Sequence, residues 1–222
     1  DKALVGEFSQ AAVRSSAAIL GVALNTNIYG NAGMVPMMVL SAVPFFNVYA
    51  VLILQFSPHT DENGRLIPPE RNGAAAVRRA LVNVVKNPII LGILLGVPFS
   101  LLRVKLPGIL ASTLSTIGGT ATPVALLAVG ASFSGSEAAK CMKPALAATA
   151  IKLFILPAIF LPIAALFGFT GSAMIAILIL VGSPTTASCY VMAKNMGHRG
   201  VLTSNVVMLA TVLSSVSLTL WI

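Results

Sequence analysis

The chain has 222 residues, of which 57% are hydrophobic and only 9% are charged. A soluble domain carries about 25% charged residues, so this composition excludes a soluble globular enzyme. It also excludes a disordered chain, because disorder goes with low hydrophobicity. The chain is therefore predicted to be a polytopic helical membrane protein.

Seven apolar stretches follow one another along the chain. A transmembrane helix needs about 20 mostly apolar residues, and these stretches do not alternate in polarity as transmembrane β-strands do. We therefore predict an all-α polytopic membrane protein. Its predicted helices cover residues 4–29, 34–56, 88–102, 108–133, 144–167, 172–193 and 201–222.

The Lys and Arg residues are distributed unevenly between the two ends of these helices. The N-terminal approach and loops 57–87, 134–143 and 194–200 hold ten of the fourteen, and the loop after the third stretch holds two. By the positive-inside rule the richer side is cytoplasmic. The net charge of +8 is then a topology signal, and no nucleic-acid partner is expected.

The long loop 57–87 contains one further pattern. Apolar residues recur at helical spacing over 74–86, with arginines opposite. This spacing predicts a short amphipathic helix on the cytoplasmic membrane surface, although a solvated connector fits the pattern equally well. His59 and His198 both fall in predicted cytoplasmic loops, so neither is expected to relay protons across the membrane.

Two segments of the chain resemble each other. Residues 4–56 and 171–222 both read as a helix, a Gly-x-x-Gly turn and a second helix, with the turns at 30–33 and 197–200. The charge distribution gives the two segments opposite orientations in the membrane. Two similar helix pairs of opposite orientation predict an inverted repeat.

The repeat aligns two candidate helix breaks. Ser15 and Ser16 fall on Gly182 and Ser183, each pair near the middle of its apolar stretch, and Pro184 follows. Proline cannot donate a backbone hydrogen bond, and backbone groups freed at mid-membrane must line a cavity. Paired breaks at matching positions predict a transporter's substrate site. The alternative is a simple proline kink without a ligand.

Ionisable groups inside a bilayer are candidates for function. Glu7, Gln10 and Arg14 have the spacing of one helical face, which should point into the bundle, and a guanidinium can bind a carboxylate through two hydrogen bonds. The alternative is that Arg14 anchors at the cytoplasmic interface. Lys152 lies deep in its apolar stretch, where it either has a function or extends toward the cytoplasm. The predicted substrate-binding residues are Arg14, Ser15, Ser16, Asn47, Gly182, Ser183, Pro184, Thr185 and Thr186.

Four sequence runs resemble the auxin efflux carrier family of membrane transporters. They are Asn-Pro-Ile-Ile-Leu-Gly at 87–92, Gly-Gly-Thr-Ala-Thr-Pro-Val-Ala-Leu-Leu-Ala-Val-Gly-Ala-Ser at 118–132, Ile-Lys-Leu with a following proline at 151–157, and Ser-Pro-Thr-Thr-Ala-Ser-Cys-Tyr-Val-Met-Ala at 183–193. Their order and spacing match along nearly the whole chain. At the first break the sequence departs from the family pattern. Arg-Ser-Ser at 14–16 and Gly-Val-Ala at 21–23 replace the usual asparagine element and Gly-x-Pro.

The resemblance implies a fold of ten helices in two inverted five-helix repeats, with the fourth and ninth helices broken and crossing. In this respect it is similar to sodium–bile-acid symporters and sodium–proton antiporters. The seven stretches would be helices four to ten, and about three helices before residue 1 would be missing. Residues 1–56 would then end the first repeat, 57–87 would be a cytoplasmic loop, and 88–222 would form the complete second repeat.

The resemblance also implies a function. The protein would move a small organic anion, such as malate, malonate or an auxin-like acid, across the cell's inner membrane by alternating access. Lys152 would stand in for a bound sodium ion, and a homodimer is possible for this architecture. No metal, cofactor or enzyme activity is expected, because Walker and His-Glu-x-x-His motifs are absent from the sequence. The alternative is a membrane-embedded ligand sensor that binds without transport.

Overall fold

The part of the chain that the structure describes is 79% helical with almost no sheet, as the apolar stretches predict. The computed structural model describes residues 2–60, 65–69, 78, 81, 82, 85, 86, 88–131, 133 and 135–222. The predicted amphipathic helix over 74–86 falls largely outside the described residues. The helices are α1 Val5–Val13, α2 Ala17–Tyr29, α3 Val35–Gln55, α4 Pro88–Leu101, α5 Gly108–Ala131, α6 Gly135–Lys140, α7 Met142–Leu166, α8 Gly171–Gly182, α9 Ser188–Asn195 and α10 Val201–Trp221. A two-stranded antiparallel pair, β1 His59–Thr60 and β2 Leu66–Ile67, follows α3.

The long helices have the length and composition of membrane spans. Among the described residues α3, α5, α7 and α10 are each long and apolar enough to cross a bilayer. The predicted helix boundaries are confirmed to within two residues for five of the seven stretches, and the other two are divided into α1 with α2 and α8 with α9. The short α6 was not predicted, because six residues are too few to show a helical period.

Helix α7 changes its winding in the middle. Residues Ile151–Ile155 form a π-helical turn within it. Pro157 has no backbone N–H, so it cannot donate to the carbonyl of Leu153 four residues earlier. The indole Nε1 of Trp221 donates to that carbonyl instead, at 2.9 Å. The proline therefore frees a backbone group that the end of α10 satisfies, and the looser turn carries Lys152.

Both Gly-x-x-Gly turns require glycine. Gly30 and Gly33 in the first turn, and Gly197 and Gly200 in the second, all have positive φ angles, which other residues rarely adopt. At Gly33 a Cβ atom would also lie 1.8 Å from the Ser172 hydroxyl oxygen. The sequence similarity of the two turns thus corresponds to a shared backbone conformation.

Small residues hold the centre of the bundle together. Ala11 and Ala12 of α1 and Ala145 and Ala148 of α7 are buried in one cluster with residues of α10. Alanines let helices approach closely in a membrane, where packing rather than water exclusion drives association. This packing places the ends of α1 beside α7 and α10, and so positions the polar residues at the first break.

Candidate functional site

Both predicted helix breaks are present, and they meet. Helix α1 ends at Val13 and α2 begins at Ala17, while α8 ends at Gly182 and α9 begins at Ser188. The N–H of Ser16 donates to the carbonyl of Pro184 across the contact, at 2.9 Å. The backbone is non-helical over residues 183–187, so the second break interrupts the helix and is not a kink within a continuous helix.

Hydrogen bonds between the two breaks satisfy the backbone groups that the breaks release. The Thr185 hydroxyl donates to the Ala11 carbonyl at 2.7 Å. The Gln10 amide donates to the Cys189 carbonyl at 3.2 Å. The Ala11 carbonyl lies in the last turn of α1, where it has no partner within the helix, whereas the Cys189 carbonyl lies at the start of α9; each donor belongs to the other helix pair. Because unsatisfied backbone groups are costly in hydrocarbon, the two breaks stabilise each other.

Lys152 lies where the breaks meet. Its side chain is fully buried, and its ammonium donates to the carbonyls of Val13 and Leu180, both at 3.1 Å, and to the Ser15 hydroxyl. The Ser15 hydroxyl in turn donates to the Leu180 carbonyl. The alternative that Lys152 extends to the cytoplasm is wrong. Its three donors bind oxygen atoms from both breaks, and no carboxylate is among these partners.

Arg14 directly follows α1 and is also buried, with 4% of its surface exposed. Its Nη2 donates to Asn47 Oδ1 at 2.8 Å and to the Ser188 hydroxyl at 2.9 Å, and its Nη1 contacts the Met192 sulfur at 3.4 Å. The Asn47 amide is itself fixed by a bond from Nδ2 to the Val43 carbonyl at 2.9 Å. The alternative that Arg14 anchors at the interface is wrong.

The predicted face of Glu7, Gln10 and Arg14 is buried as expected, with exposures of 2%, 0% and 4%. Glu7 does not neutralise Arg14, however. Its carboxylate accepts hydrogen bonds from the N–H of Gly200 at 2.9 Å and from the N–H and hydroxyl of Thr203 at 3.1 Å. Glu7 therefore caps the N-terminus of α10, where its negative charge interacts favourably with the positive end of the helix dipole. Among the described residues the guanidinium of Arg14 has only neutral partners.

A cavity of about 480 Å³ lies beside the point where the two breaks meet. Of the predicted site residues, Arg14, Ser15, Ser16, Asn47, Pro184, Thr185 and Thr186 line it. Its further polar lining comes from Ser188 and from Thr122 and Thr211 on α5 and α10. Ser188 could have been chosen from its place in the second break. Thr122 belongs to a series of small polar residues along its stretch, which pack helices as readily as they line a cavity. Thr211 carried no signal in the sequence, because only helix packing brings it to this wall.

Two predicted site residues do not line the cavity. Gly182 packs against α7, where an added Cβ would lie 2.8 Å from Cγ of Pro157. Ser183 is fully buried, and its hydroxyl has no hydrogen-bond partner among the described residues. Gly182 therefore explains the close approach of α8 to α7, and neither residue presents a group to the cavity.

A second polar contact joins the loops. The rings of His59 and His198 stack with their centroids 4.3 Å apart, and Nε2 of His198 donates to the Leu54 carbonyl at 3.2 Å. Burial, and secondarily the neighbouring His59, lower the pKa of His198 to about 4, against a smaller opposing effect of the Leu54 bond. His198 therefore connects the end of α3 to the loop before α10 as a neutral imidazole.

We expect this contact to make the protein less stable in acid. An exposed histidine in the unfolded chain takes up a proton below pH 6.5, whereas His198 in the folded protein does so only near pH 4. The unfolded state then binds more protons, so stability falls as the pH is lowered from 6.5 to about 4 and is unaffected by this group above 6.5. Thermal unfolding of the detergent-solubilised protein across this range would measure the loss. His198→Gln should be less stable at neutral pH but should lose less on acidification, and an equal acid loss in both proteins would contradict the assignment.

Two discontinuous helices whose breaks meet beside a cavity are typical of polytopic membrane transport proteins. Comparison with protein families agrees with this. The model of the membrane transport protein family, to which the auxin efflux carriers belong, matches residues 8–222, and the chain belongs to this family. The resemblance seen in the sequence motifs is thus confirmed, together with a membrane transport function. A comparison with curated proteins gives no match.

Proposed function

We propose that the protein carries a small organic carboxylate across the inner membrane, and that the cavity at the crossed breaks is its substrate site. The observation that carries this proposal is the environment of Arg14. A buried guanidinium lines the cavity, and its partners among the described residues are an amide, a hydroxyl and a thioether. A buried charge without a counter-charge is costly, and a carboxylate substrate would supply one.

Two further features support an anion. The N-termini of α2 and α9 both reach the cavity, through Ser16 and Ala17 on one side and Ala187 and Ser188 on the other. The N-terminus of a helix carries the positive end of its dipole. Two such ends beside one arginine would attract a negative group.

The remaining walls narrow the substrate class. Leu20, Val43, Phe46 and Leu126 make much of the cavity apolar, and Arg14 is the one basic residue in its described lining. A volume of about 480 Å³ is within the range of small-molecule sites. We infer a substrate with one carboxylate bound by Arg14 and a partly apolar body. A compact dicarboxylate would leave its second charge without a partner.

Lys152 supports a particular mechanism. Carbonyl oxygens of unwound helices commonly bind the coupling cation in transporters with broken helices. Here the ammonium of Lys152 binds such oxygens, those of Val13 and Leu180. We propose that this fixed cation replaces a mobile one and holds the two breaks together while they move as one unit between inward- and outward-facing states. The two helix pairs would be the related halves of an inverted repeat.

Counterflow in proteoliposomes tests the transport proposal. The full-length protein is reconstituted, loaded with one unlabelled carboxylate at a time and supplied with the same labelled compound outside. The panel contains malate, malonate, and monocarboxylates with apolar or aromatic bodies. Saturable accumulation of a monocarboxylate would support the proposal. Thermal stabilisation by these compounds without accumulation would favour a sensor. If no compound accumulates and none stabilises the protein, the argument for an anionic substrate fails.

A further inference from the structure

A second cavity, of about 590 Å³, lies beside the starts of helices α1, α7 and α10. Its lining is both apolar and strongly charged. The lining residues are Ala3, Leu4, Val5, Glu7, Phe8, Thr60, Glu137, Lys140, Cys141, Lys143, Pro144, Arg199 and Val201. The transport site does not share any of these residues.

The two acidic residues of this basic cavity are already engaged. Glu137 pairs with Arg199, and Glu7 caps the N-terminus of α10 through Gly200 and Thr203. The charges that remain are the ammonium groups of Lys140 and Lys143, which have no carboxylate partner among the described residues. The cavity is therefore suited to an anion that would bind to these two lysines.

The position and the apolar wall point to one kind of anion. Helix α7 has the length and composition of a membrane span and begins at Met142, so Lys140 and Lys143 lie at its end, where lipid headgroups are expected. Val5, Phe8 and Pro144 line the same cavity, and Val5 is half exposed. A phospholipid has a phosphate next to apolar chains, whereas a free phosphate or a small metabolite would leave the apolar wall unused.

We propose that the basic cavity binds the headgroup of an anionic phospholipid. Lys140 and Lys143 hold the phosphate, and the upper part of an acyl chain lies along Val5 and Phe8. The bound lipid joins the start of α1, which leads to Arg14, to the start of α7, which leads to Lys152. The lipid thus stabilises the two helices that support the transport site.

Lipid retention by the full-length protein tests this. The protein is purified in detergent, stripped of lipid, and titrated with phosphatidylglycerol or with phosphatidylcholine of the same chains, and bound lipid is counted by native mass spectrometry. We expect phosphatidylglycerol to bind more tightly. Lys140→Gln with Lys143→Gln should weaken that binding by about fivefold for each lysine. The matched control is Arg103→Gln with Lys105→Gln, which removes two exposed cations from the loop between α4 and α5.

Each result of these titrations either supports or overturns the lipid proposal. Preference for phosphatidylglycerol that is lost only in the Lys140 and Lys143 variant supports the proposal. Equal binding of the two lipids, or equal losses in the two double variants, overturns it. A third arm adds inorganic phosphate alone and follows the thermal unfolding midpoint. If phosphate stabilises the protein to the same degree as the lipid, and this effect needs Lys140 and Lys143, the cavity is a site for a free anion and the lipid proposal fails.

Discussion

Replacing Arg14 by glutamine is expected to weaken carboxylate binding by about 100-fold or more, because removing one member of a buried charged pair costs roughly 2–5 kcal/mol. Glutamine keeps a donor for Asn47 but supplies neither the charge nor the fork of a guanidinium. Arg14→Lys keeps the charge and should give an intermediate loss, since an ammonium cannot bind a carboxylate through two parallel hydrogen bonds. Competition by unlabelled carboxylate in the counterflow assay measures the apparent affinity.

The design separates binding from structural support. Arg14 also joins the two helix pairs through Asn47 and Ser188, so its loss can lower stability without touching a substrate. A purely structural role predicts a lower unfolding midpoint and slower transport at unchanged apparent affinity. Arg103→Gln, in the exposed loop after α4, is the matched control and should behave as the wild type. Wild-type affinity in folded Arg14→Gln would remove Arg14 from the substrate site.

Lys152→Ala is expected to abolish transport and to lower the free energy of unfolding by about 3 kcal/mol, because it leaves buried oxygen atoms without donors and each such group costs roughly 1–3 kcal/mol. The oxygens that lose the ammonium belong to Val13, Ser15 and Leu180. Leu180 keeps the Ser15 hydroxyl as a donor, so the loss falls mainly on the first two. Chemical denaturation in detergent measures the stability, and counterflow measures the activity.

A small cation offers a sharper test of what Lys152 does. Lys152→Ala removes an aminopropyl group from a site lined by oxygen acceptors, so n-propylammonium should enter that space and restore part of both stability and transport. Neutral propanol has a similar size and should restore less. The matched control is Lys105→Ala, which removes an exposed lysine and should change neither property. Normal stability and transport in Lys152→Ala would show that the breaks hold together without this cation.

Much of the fold could be predicted from local properties of the sequence. The length of each apolar stretch is fixed by the thickness of the bilayer, so the ends of α3, α5 and α10 lie close to their predicted positions. Pro184 and Gly182 mark the second break through backbone chemistry alone. The first break has neither residue, and it was located only by aligning the two Gly-x-x-Gly turns.

The candidate site was predictable in part. Helical spacing identified Glu7, Gln10 and Arg14 as one buried face, but spacing cannot say what each side chain contacts. In the structure Glu7 binds the N-terminus of α10, Gln10 donates to the Cys189 carbonyl and Arg14 lines the cavity. Similarly, the contact between His59 and His198 joins loops that are far apart in the sequence.

The sequence by itself determined that this is an all-helical membrane protein with two broken helices. In hydrocarbon every span must be apolar over its length, and its backbone N–H and C=O groups must all find hydrogen-bond partners. Only the tertiary structure decided which polar groups meet. The acceptors of Lys152 come from residues 139 and 28 positions away in the chain, and the cavity takes residues from α5 and α10 as well as from the breaks. Helical periodicity fixes the face on which a side chain lies, whereas its partner depends on how helices distant in sequence pack against that face.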